Sequence, residues 1–373
     1  MRDSKPDVVI VGAGPAGAAL AYRLATAHRL DVLVLEREAE PRFRIGETLP
    51  AAAGPLLRDL GLLTGFIARC YPNSLGRASI WGSEELVRID SFNDPQGPGW
   101  RLDRRDFDAW LVAEAQRGGV DVVRSCPLAA ISRTGQASFP WAVAAVLPNG
   151  DKEIVATRFL VDATGRRAAI ARRLGAITTR INRLVCTYAV RPAGAPTSLD
   201  GFSVVEAAPD GWFYAARLPS GSRLVAYHTD SDLTSPVSWQ REFADGVRAT
   251  AIARAFQLSD DDDPSSPPLL ACVAAWSGCS VAAVGDDWAA VGDAACCFDP
   301  LSSQGLFNAL YGALKLAPAI ASSLTGDRRA LADYGKRLNT VWTAYRRHYS
   351  AFYRLERRWP DRCFWRRRQM LAT

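Results

Sequence analysis

The sequence predicts an α/β fold in which a parallel, doubly wound sheet is interleaved with an antiparallel sheet and followed by a helical extension. Three observations predict it. First, an apolar strand, Asp7–Val11, runs into Gly12-Ala13-Gly14-Pro15-Ala16-Gly17 and a helix, and the strand Asp31–Glu36 follows directly. Second, far along the chain, an apolar run ending at Val291 gives way to Gly292-Asp293. A turn at Asp299-Pro300-Leu301-Ser302-Ser303-Gln304-Gly305 follows, then Leu306, Leu310, Leu314 and Ala317 at helical spacing. Third, residues from about 177 to 275 read as short strands: Leu184–Val190, Phe202–Glu206, Gly211–Leu218 and Ser222–His228.

The first element is a βαβ unit with a glycine fingerprint. Gly12 allows the tight turn, Gly14 lets backbone approach a phosphate, and Gly17 packs helix on strand. Gly12, Gly14, Pro15, Ala16 and Gly17 are therefore candidate contacts to a pyrophosphate at the start of a helix, Gly14–Ala27, whose dipole favours anions. Glu36 ends the second strand, about 20 residues past the glycines, where it accepts hydrogen bonds from a ribose and repels a 2′-phosphate. Arg37 stands beside it. The loop Arg42–Pro50 is too polar and glycine-broken for a core element and borders the ligand, with Arg44, Gly46 and Glu47 as candidate contacts.

Ala51–Leu63 reads as a helix with Leu56, Leu57, Leu60 and Leu63 inward. Ser79–Ile89 reads as a strand carrying Trp81, a candidate pocket residue. Asp103 is the expected N-cap of a helix with Phe107, Leu111 and Ala115 on one face. Arg104, in its first turn, reaches a phosphate or ribityl oxygen, or else forms a surface salt bridge. Val120–Val123, Trp141–Val146 and Glu153–Val161 read as strands, the last two joined by a hairpin at Asn149-Gly150. Asp162 and Gly165 then form a second acid-glycine turn where the sheet meets the dinucleotide.

In the distal element, Gly292, Asp293, Pro300, Ser303, Gln304, Gly305 and Leu306 aim backbone N–H groups and a helix dipole at something electron-rich. Two such elements at opposite ends of the chain suit one long ligand held at both ends, pyrophosphate at one and a redox ring at the other. That ligand is FAD. The division expected is a FAD-binding domain at 1–75, 101–176 and 276–325, a substrate domain at 76–100 and 177–275, and a helical region at 326–373. Trp212 and Tyr214 are candidate pocket residues in the substrate block, with sheet packing as the plain alternative. His228 is the one candidate there for a catalytic base; a structural histidine is the competing reading. Ser259–Pro268, with Asp260–Asp263, reads as a solvated loop.

Composition narrows the function. The eight cysteines show no C-x-x-C, and the three histidines are not paired at helical spacing, so no metal site is expected. Cys296-Cys297 reads as a pair of small buried residues. No apolar run is long enough to span a membrane, and no leader pattern opens the chain, which predicts a cytoplasmic protein. The net charge of +6 is almost wholly arginine, since lysine occurs only at 5, 152, 315 and 336. The arginines cluster among aromatics from Arg346 to Arg368; such a tail covers its own protein or docks an acidic partner, readings that fit better than nucleic acid.

Gly12-x-Gly14-x-x-Gly17 with Glu36, Arg104 before Phe107-Asp108, Asp162-x-x-Gly165 and Gly292-Asp293…Asp299-Pro300 resemble the single-component FAD monooxygenases and their halogenase and reductase relatives, over nearly the whole chain. The resemblance implies a glutathione-reductase-like, para-hydroxybenzoate-hydroxylase-like FAD domain. It also implies an external reductant, NAD(P)H or another donor, and O2 activation at flavin C4a as a hydroperoxide. Three subclasses compete. Tryptophan halogenases are similar at Arg44-Ile45-Gly46-Glu47-Thr48, but they need a lysine after the first βαβ unit, and none lies between Lys5 and Lys152. Their Trp-x-Trp-x-Ile-Pro signature is also absent, its nearest relic being Gly211–Pro219. Geranylgeranyl-reductase-like proteins are similar in outline, but a basic, Trp-rich chain does not suggest a lipid tunnel. The Trp81-Gly82-Ser83, Gly99–Asp108, Asp299–Gly305 and Phe364–Arg368 stretches most resemble the flavoprotein maturases of tryptophylquinone enzymes, the lysine-oxidase and glycine-oxidase maturase type. That resemblance implies hydroxylation of a tryptophan in a partner polypeptide. A hydroxylase or halogenase of a small aromatic compound, or a protein that binds FAD without turnover, are the alternatives.

Overall fold

The computed structural model describes residues 5–235, 239–256 and 269–370. Runs of four apolar residues leave no face for water, and such strands collect in a parallel sheet covered on both sides. Val8–Val11 and Val32–Leu35 are buried throughout and lie side by side. Phe159–Asp162 and Trp288–Ala290 extend this sheet on one side and Asp121–Val123 on the other, every pairing parallel. The alanine-rich helix Pro15–His28 packs against it together with the helix Gly305–Leu324, their small residues Ala16, Ala309 and Ala313 sharing one core. The helix Arg104–Arg117 is capped as expected: the Asp103 carboxylate accepts from the Arg105 and Asp106 amides at 2.9 and 3.1 Å.

The second layer is a seven-stranded sheet ordered Leu269–Ala274, Leu184–Arg191, Arg223–Asp230, Gly211–Arg217, Phe202–Ala208, Gly76–Ile80, Val87–Asp90. All neighbours are antiparallel except Phe202–Ala208 and Gly76–Ile80. Alternation gives it two different faces. Phe213, Ala215 and Val225 pack under the helices Trp239–Ala249 and Ala251–Ala255. Trp212, Leu224 and Ala226 point the other way and meet Tyr345, Tyr349, Tyr353, Phe364 and Trp365 of the C-terminal helices Arg329–Tyr353 and Cys363–Gln369.

Several expectations need correction. The strand expected at Glu153–Val161 is two: Lys152–Thr157 completes the Asn149-Gly150 hairpin, and Phe159–Asp162 joins the parallel sheet. The break falls where the Thr157 hydroxyl donates to the Pro6 carbonyl (3.0 Å) and Arg158 pairs with Asp7 (2.7 Å). Ser79–Ile89 is likewise two antiparallel strands, divided near Gly82, whose φ of +78° is left-handed. Cys296 is joined to Cys279 as a disulfide, because Gly278–Ser280 and Cys296-Cys297 pair antiparallel and set the two Cα atoms 4.1 Å apart. Cys297 is buried as expected. Ser259–Pro268 lies outside the described residues.

Four of the C-terminal arginines are engaged within the chain. Arg368 is 1 % exposed and bonds both oxygens of Asp230, at 3.0 and 2.7 Å. Arg367 reaches Asp230 and Asp232, Arg358 pairs with Glu356, and Arg362 with Asp210. Removing buried Arg368 would test stability rather than docking.

Candidate functional site

Where the parallel sheet, the two glycine elements and the seven-stranded sheet converge lies an elongated cleft of about 470 Å³. At its centre the backbone crowds too closely for side chains. A Cβ on Gly12 (φ +109°) would lie 2.3 Å from the Ala163 carbonyl oxygen, and one on Gly17 2.0 Å from the Gly12 carbonyl oxygen. Gly292 (φ +61°) plays the matching part: a Cβ there would lie 2.7 Å from Ala16 Cβ, so glycine lets the two elements touch. Gly12, Gly14, Pro15 and Ala16 line the cleft, while Gly17 and Gly292 lie behind it as packing contacts. Ser303 is left-handed (φ +50°), turning the chain so that Gln304, Gly305 and Leu306 open a 20-residue helix at the cleft wall. Asp293, Pro300 and Gly165 line it too.

At one end stand Glu36, Arg37 and Arg44. The Glu36 carboxylate accepts from the Ala13 amide (2.7 Å) and the Glu38 amide (3.0 Å), which ties the second strand to the glycine turn. Arg37 pairs with Glu38 at 3.1 Å. Around the whole cleft six arginines (37, 44, 104, 166, 167, 173) face four carboxylates (Glu36, Glu47, Asp293, Asp299), a balance that favours an anionic ligand.

Two predicted contacts do other work. Arg104 lines the cleft and is held in a buried ion pair rather than a surface one. Its buried guanidinium bonds both oxygens of Asp108 at 3.1 Å and donates to the Ile45 and Gly46 carbonyls at 3.0 and 3.2 Å. It thereby holds the loop that carries Glu47 against the cleft. Asp162 is fully buried and does not line the cleft. Its carboxylate accepts from the Thr164, Ile170 and Ala171 amides and caps the short helix Ala169–Arg173. Arg166, beside it, is a residue that sequence reasoning did not assign. It pairs with Asp293 at 3.3 Å and donates to the Phe298 carbonyl at 2.8 Å, bracing the distal turn from across the cleft. Its position directly after Gly165 was the available signal.

The far end is walled by the seven-stranded sheet. Trp212, Tyr214 and His228 line it. Trp81 does not: its indole donates to the Phe352 carbonyl at 3.1 Å, and its ring packs edge-on to Tyr353 and Trp365. Glu47, 2 % exposed, accepts from the Tyr214 hydroxyl and from the Gly46 amide. Tyr214 continues to Ser203 (3.2 Å) and Ser203 to Thr48 (3.1 Å). Burial, then the Glu47 charge, raises the Tyr214 pKa, so this phenol stays protonated and donates. Behind the wall, the Trp212 indole donates to the Tyr353 hydroxyl (3.0 Å), which donates to Asp299 (2.9 Å). Asp299 also accepts from the Leu301 amide, and burial raises its pKa above the usual carboxylate value. A chain of hydrogen bonds thus couples sheet, C-terminal helix and distal turn.

Burial, offset only in part by the Trp212 backbone, pushes the His228 pKa down to about 3. The folded protein keeps this ring neutral, whereas the unfolded chain protonates it below its ordinary value of about 6.5. The unfolded state therefore binds more protons between those values, and stability falls as pH drops through that window, by up to about 1.4 kcal/mol per pH unit. Replacing His228 with Phe removes this share: between pH 7 and pH 5 the wild type should lose about 2 kcal/mol more stability than the variant. Urea denaturation at both pH values measures it, and parallel losses in the two proteins would refute it.

Among the described residues no helix is long and apolar enough to cross a membrane. The cleft's chemistry suits a dinucleotide. Its close-packed glycines, two helix N-termini and arginine excess match a pyrophosphate, and its aromatic end, walled by Trp212 and Tyr214, matches a planar ring. Residues 83–373 match the family model described as tryptophan halogenase, and residues 7–56 that of the FAD-dependent oxidoreductases. LodB of Marinomonas mediterranea, described as an FAD-dependent oxidoreductase, is 31% identical over 98% of both chains. Among solved structures, the myxobacterial chondrochloren halogenase CndH superposes with a TM-score of 0.85 at 26% identity, covering 99% of this chain and 86% of that one. QhpG, a peptidyl tryptophan dihydroxylase essential for tryptophylquinone cofactor biogenesis, superposes with a TM-score of 0.79 at 26% identity, covering 99% of this chain and 80% of that one.

Proposed function

The chain belongs to the tryptophan-halogenase family of FAD-dependent oxidoreductases, and from that premise we propose that it hydroxylates a tryptophan in a partner polypeptide during tryptophylquinone cofactor biogenesis. The observation that carries the proposal is the full-length similarity to LodB, joined by QhpG, whose substrate is a peptidyl tryptophan. The absence of any lysine between Lys5 and Lys152 speaks against halogenation. The domain division at 1–75, 101–176 and 276–325 for FAD, 76–100 and 177–275 for substrate, and 326–373 for the helical region belongs to the same proposal.

FAD, reduced by NAD(P)H or another external donor, would supply an electrophilic oxygen derived from O2. The chain's own residues do the rest. Gly12–Ala16 and the N-terminus at Gly305 hold and orient the cofactor; Arg104 and Arg166 fix the loops on either side of it. Trp212, Leu224 and Ala226 keep the sheet end dry, which protects a reactive oxygen species from water. Tyr214 donates its hydroxyl to the buried Glu47 carboxylate and so orients it at the cleft wall.

The test uses FAD-loaded protein, a flavin reductant, O2, chloride and bromide, and a candidate partner polypeptide. Mass spectrometry should find added oxygen on one tryptophan and no halogen. A halogen isotope pattern on the partner, or efficient oxidation of free tryptophan without it, would sink the proposal.

A further inference from the structure

His228 lies across the strand pair from Trp212, and the two rings stack with centroids 3.6 Å apart and planes 7° from parallel. The imidazole is 2 % exposed, lines the cleft, and has neither Nδ1 nor Nε2 hydrogen-bonded. Leaving two buried polar atoms unsatisfied destabilises a fold, so such a group requires an explanation. Its cross-strand neighbours are Trp212 and Cys186; the Trp212 backbone acts on the ring without reaching hydrogen-bond geometry, and the Cys186 thiol makes no bond to it. The Trp212 N–H is committed to Tyr353 and the Tyr214 hydroxyl to Glu47, while Leu224, Ala226 and Ala275 carry no polar side-chain atom. The missing partner therefore belongs to whatever enters the cleft.

A neutral imidazole presents one N–H donor and one lone-pair acceptor. Its surroundings also select by charge. The buried Glu47 carboxylate lines the same wall, the Arg101 guanidinium that acts on Tyr214 does not line the cleft, and an imidazole kept neutral cannot offset a ligand's negative charge. We infer that His228 is a specificity-determining residue that reads the N–H edge of an uncharged aromatic ring, the indole of a tryptophan residue, at the sheet end of the cleft. Its acceptor nitrogen takes the indole N–H, and Trp212 holds the imidazole plane fixed while it does so. A peptide-bound tryptophan brings no carboxylate next to Glu47, whereas the free amino acid does. This inference rests on the proposed hydroxylation of a peptidyl tryptophan and specifies how its substrate is chosen.

Calorimetric binding to the FAD-loaded protein tests it, with N-acetyltryptophanamide, its 1-methylindole counterpart and free tryptophan as probes. The wild type should prefer the N–H probe over the N-methyl probe by about tenfold, the worth of one hydrogen bond in a dry site, and bind free tryptophan most weakly. His228→Phe keeps the stack but not the nitrogens. It should bind the two amide probes within about twofold of each other, with FAD content unchanged and melting temperature unchanged or higher. His228→Gln, which retains a donor and an acceptor, should keep part of the preference and serves if the Phe variant does not fold. Equal binding of both probes by the wild type, no binding of the parent probe, or an undiminished preference in His228→Phe overturns the inference. A wild type that discriminates between the probes yet leaves the partner's tryptophan unoxidised supports His228 as the selector and removes the hydroxylation proposal alone.

Discussion

Gly12→Val protein should purify without FAD and fail to take it up on reconstitution. Gly12 sits at φ +109°, a conformation that costs a β-branched residue roughly 1–3 kcal/mol before any contact is considered. The contacts are worse. The new Cβ would meet the Ala163 carbonyl oxygen at 2.3 Å and its carbon at 2.7 Å. Both are backbone atoms of a turn anchored by the pairing of Val11 with Asp162, so neither can step aside. Relief requires prising the glycine turn from the Ala163–Gly165 turn, which widens the cleft where a pyrophosphate must be held. At 1.4 kcal/mol per tenfold, even about 3 kcal/mol means a loss of roughly 100-fold in affinity. Gly150→Val is the control, because Gly150 is also left-handed (φ +90°) but has nothing within 4 Å of a Cβ. Flavin absorbance after gel filtration should be lost in the first variant and retained in the second. A yellow Gly12→Val protein would mean that FAD is held elsewhere.

Arg368→Ala should lower the stability of the whole protein by about 3 kcal/mol. The guanidinium is 1 % exposed and Asp230 equally so, and the Ala variant strands a carboxylate in the interior. Arg367 still reaches Asp230 at 3.1 Å, which places the loss at the lower end of the range for broken buried pairs. The double variant Arg368→Met/Asp230→Leu should recover most of it, since an apolar pair requires no compensation for lost hydration. Denaturant midpoints of the three proteins check this. Unchanged stability in Arg368→Ala would restore the idea that these arginines face a partner.

The two predictions probe different kinds of information. Gly12 and Gly17 were readable because their roles are local: a tight turn and a close helix–strand approach are set by residues within one βαβ unit. The distal turn was readable for the same reason, as were the Asp103 cap and the Asn149-Gly150 hairpin. Asp162 was read as a ligand contact, and Arg104 as a ligand contact or a salt bridge, because their spacing fits such roles. Spacing cannot show that Asp108 and three backbone amides already take up their polar atoms. Trp81 was misplaced because an alternating strand assigns a face but not what covers it. The covering residues, Tyr353 and Trp365, lie more than 270 positions along the chain.

By itself, then, the sequence determined that this protein binds FAD in an α/β frame, with glycine turns at both ends of the chain converging on it. Glycine and helix-start chemistry act within a few residues, and a chain carries such signals legibly. Only the tertiary structure decided the character of the substrate end. The Trp212–Tyr353–Asp299 hydrogen bonds join positions 141 and 54 residues apart, and the Tyr214–Glu47 bond joins positions 167 apart. Whether a buried polar atom is satisfied depends on every element packed around it. That is why the sequence leaves His228 open between a catalytic base and a structural histidine, while the fold shows an imidazole with neither nitrogen hydrogen-bonded.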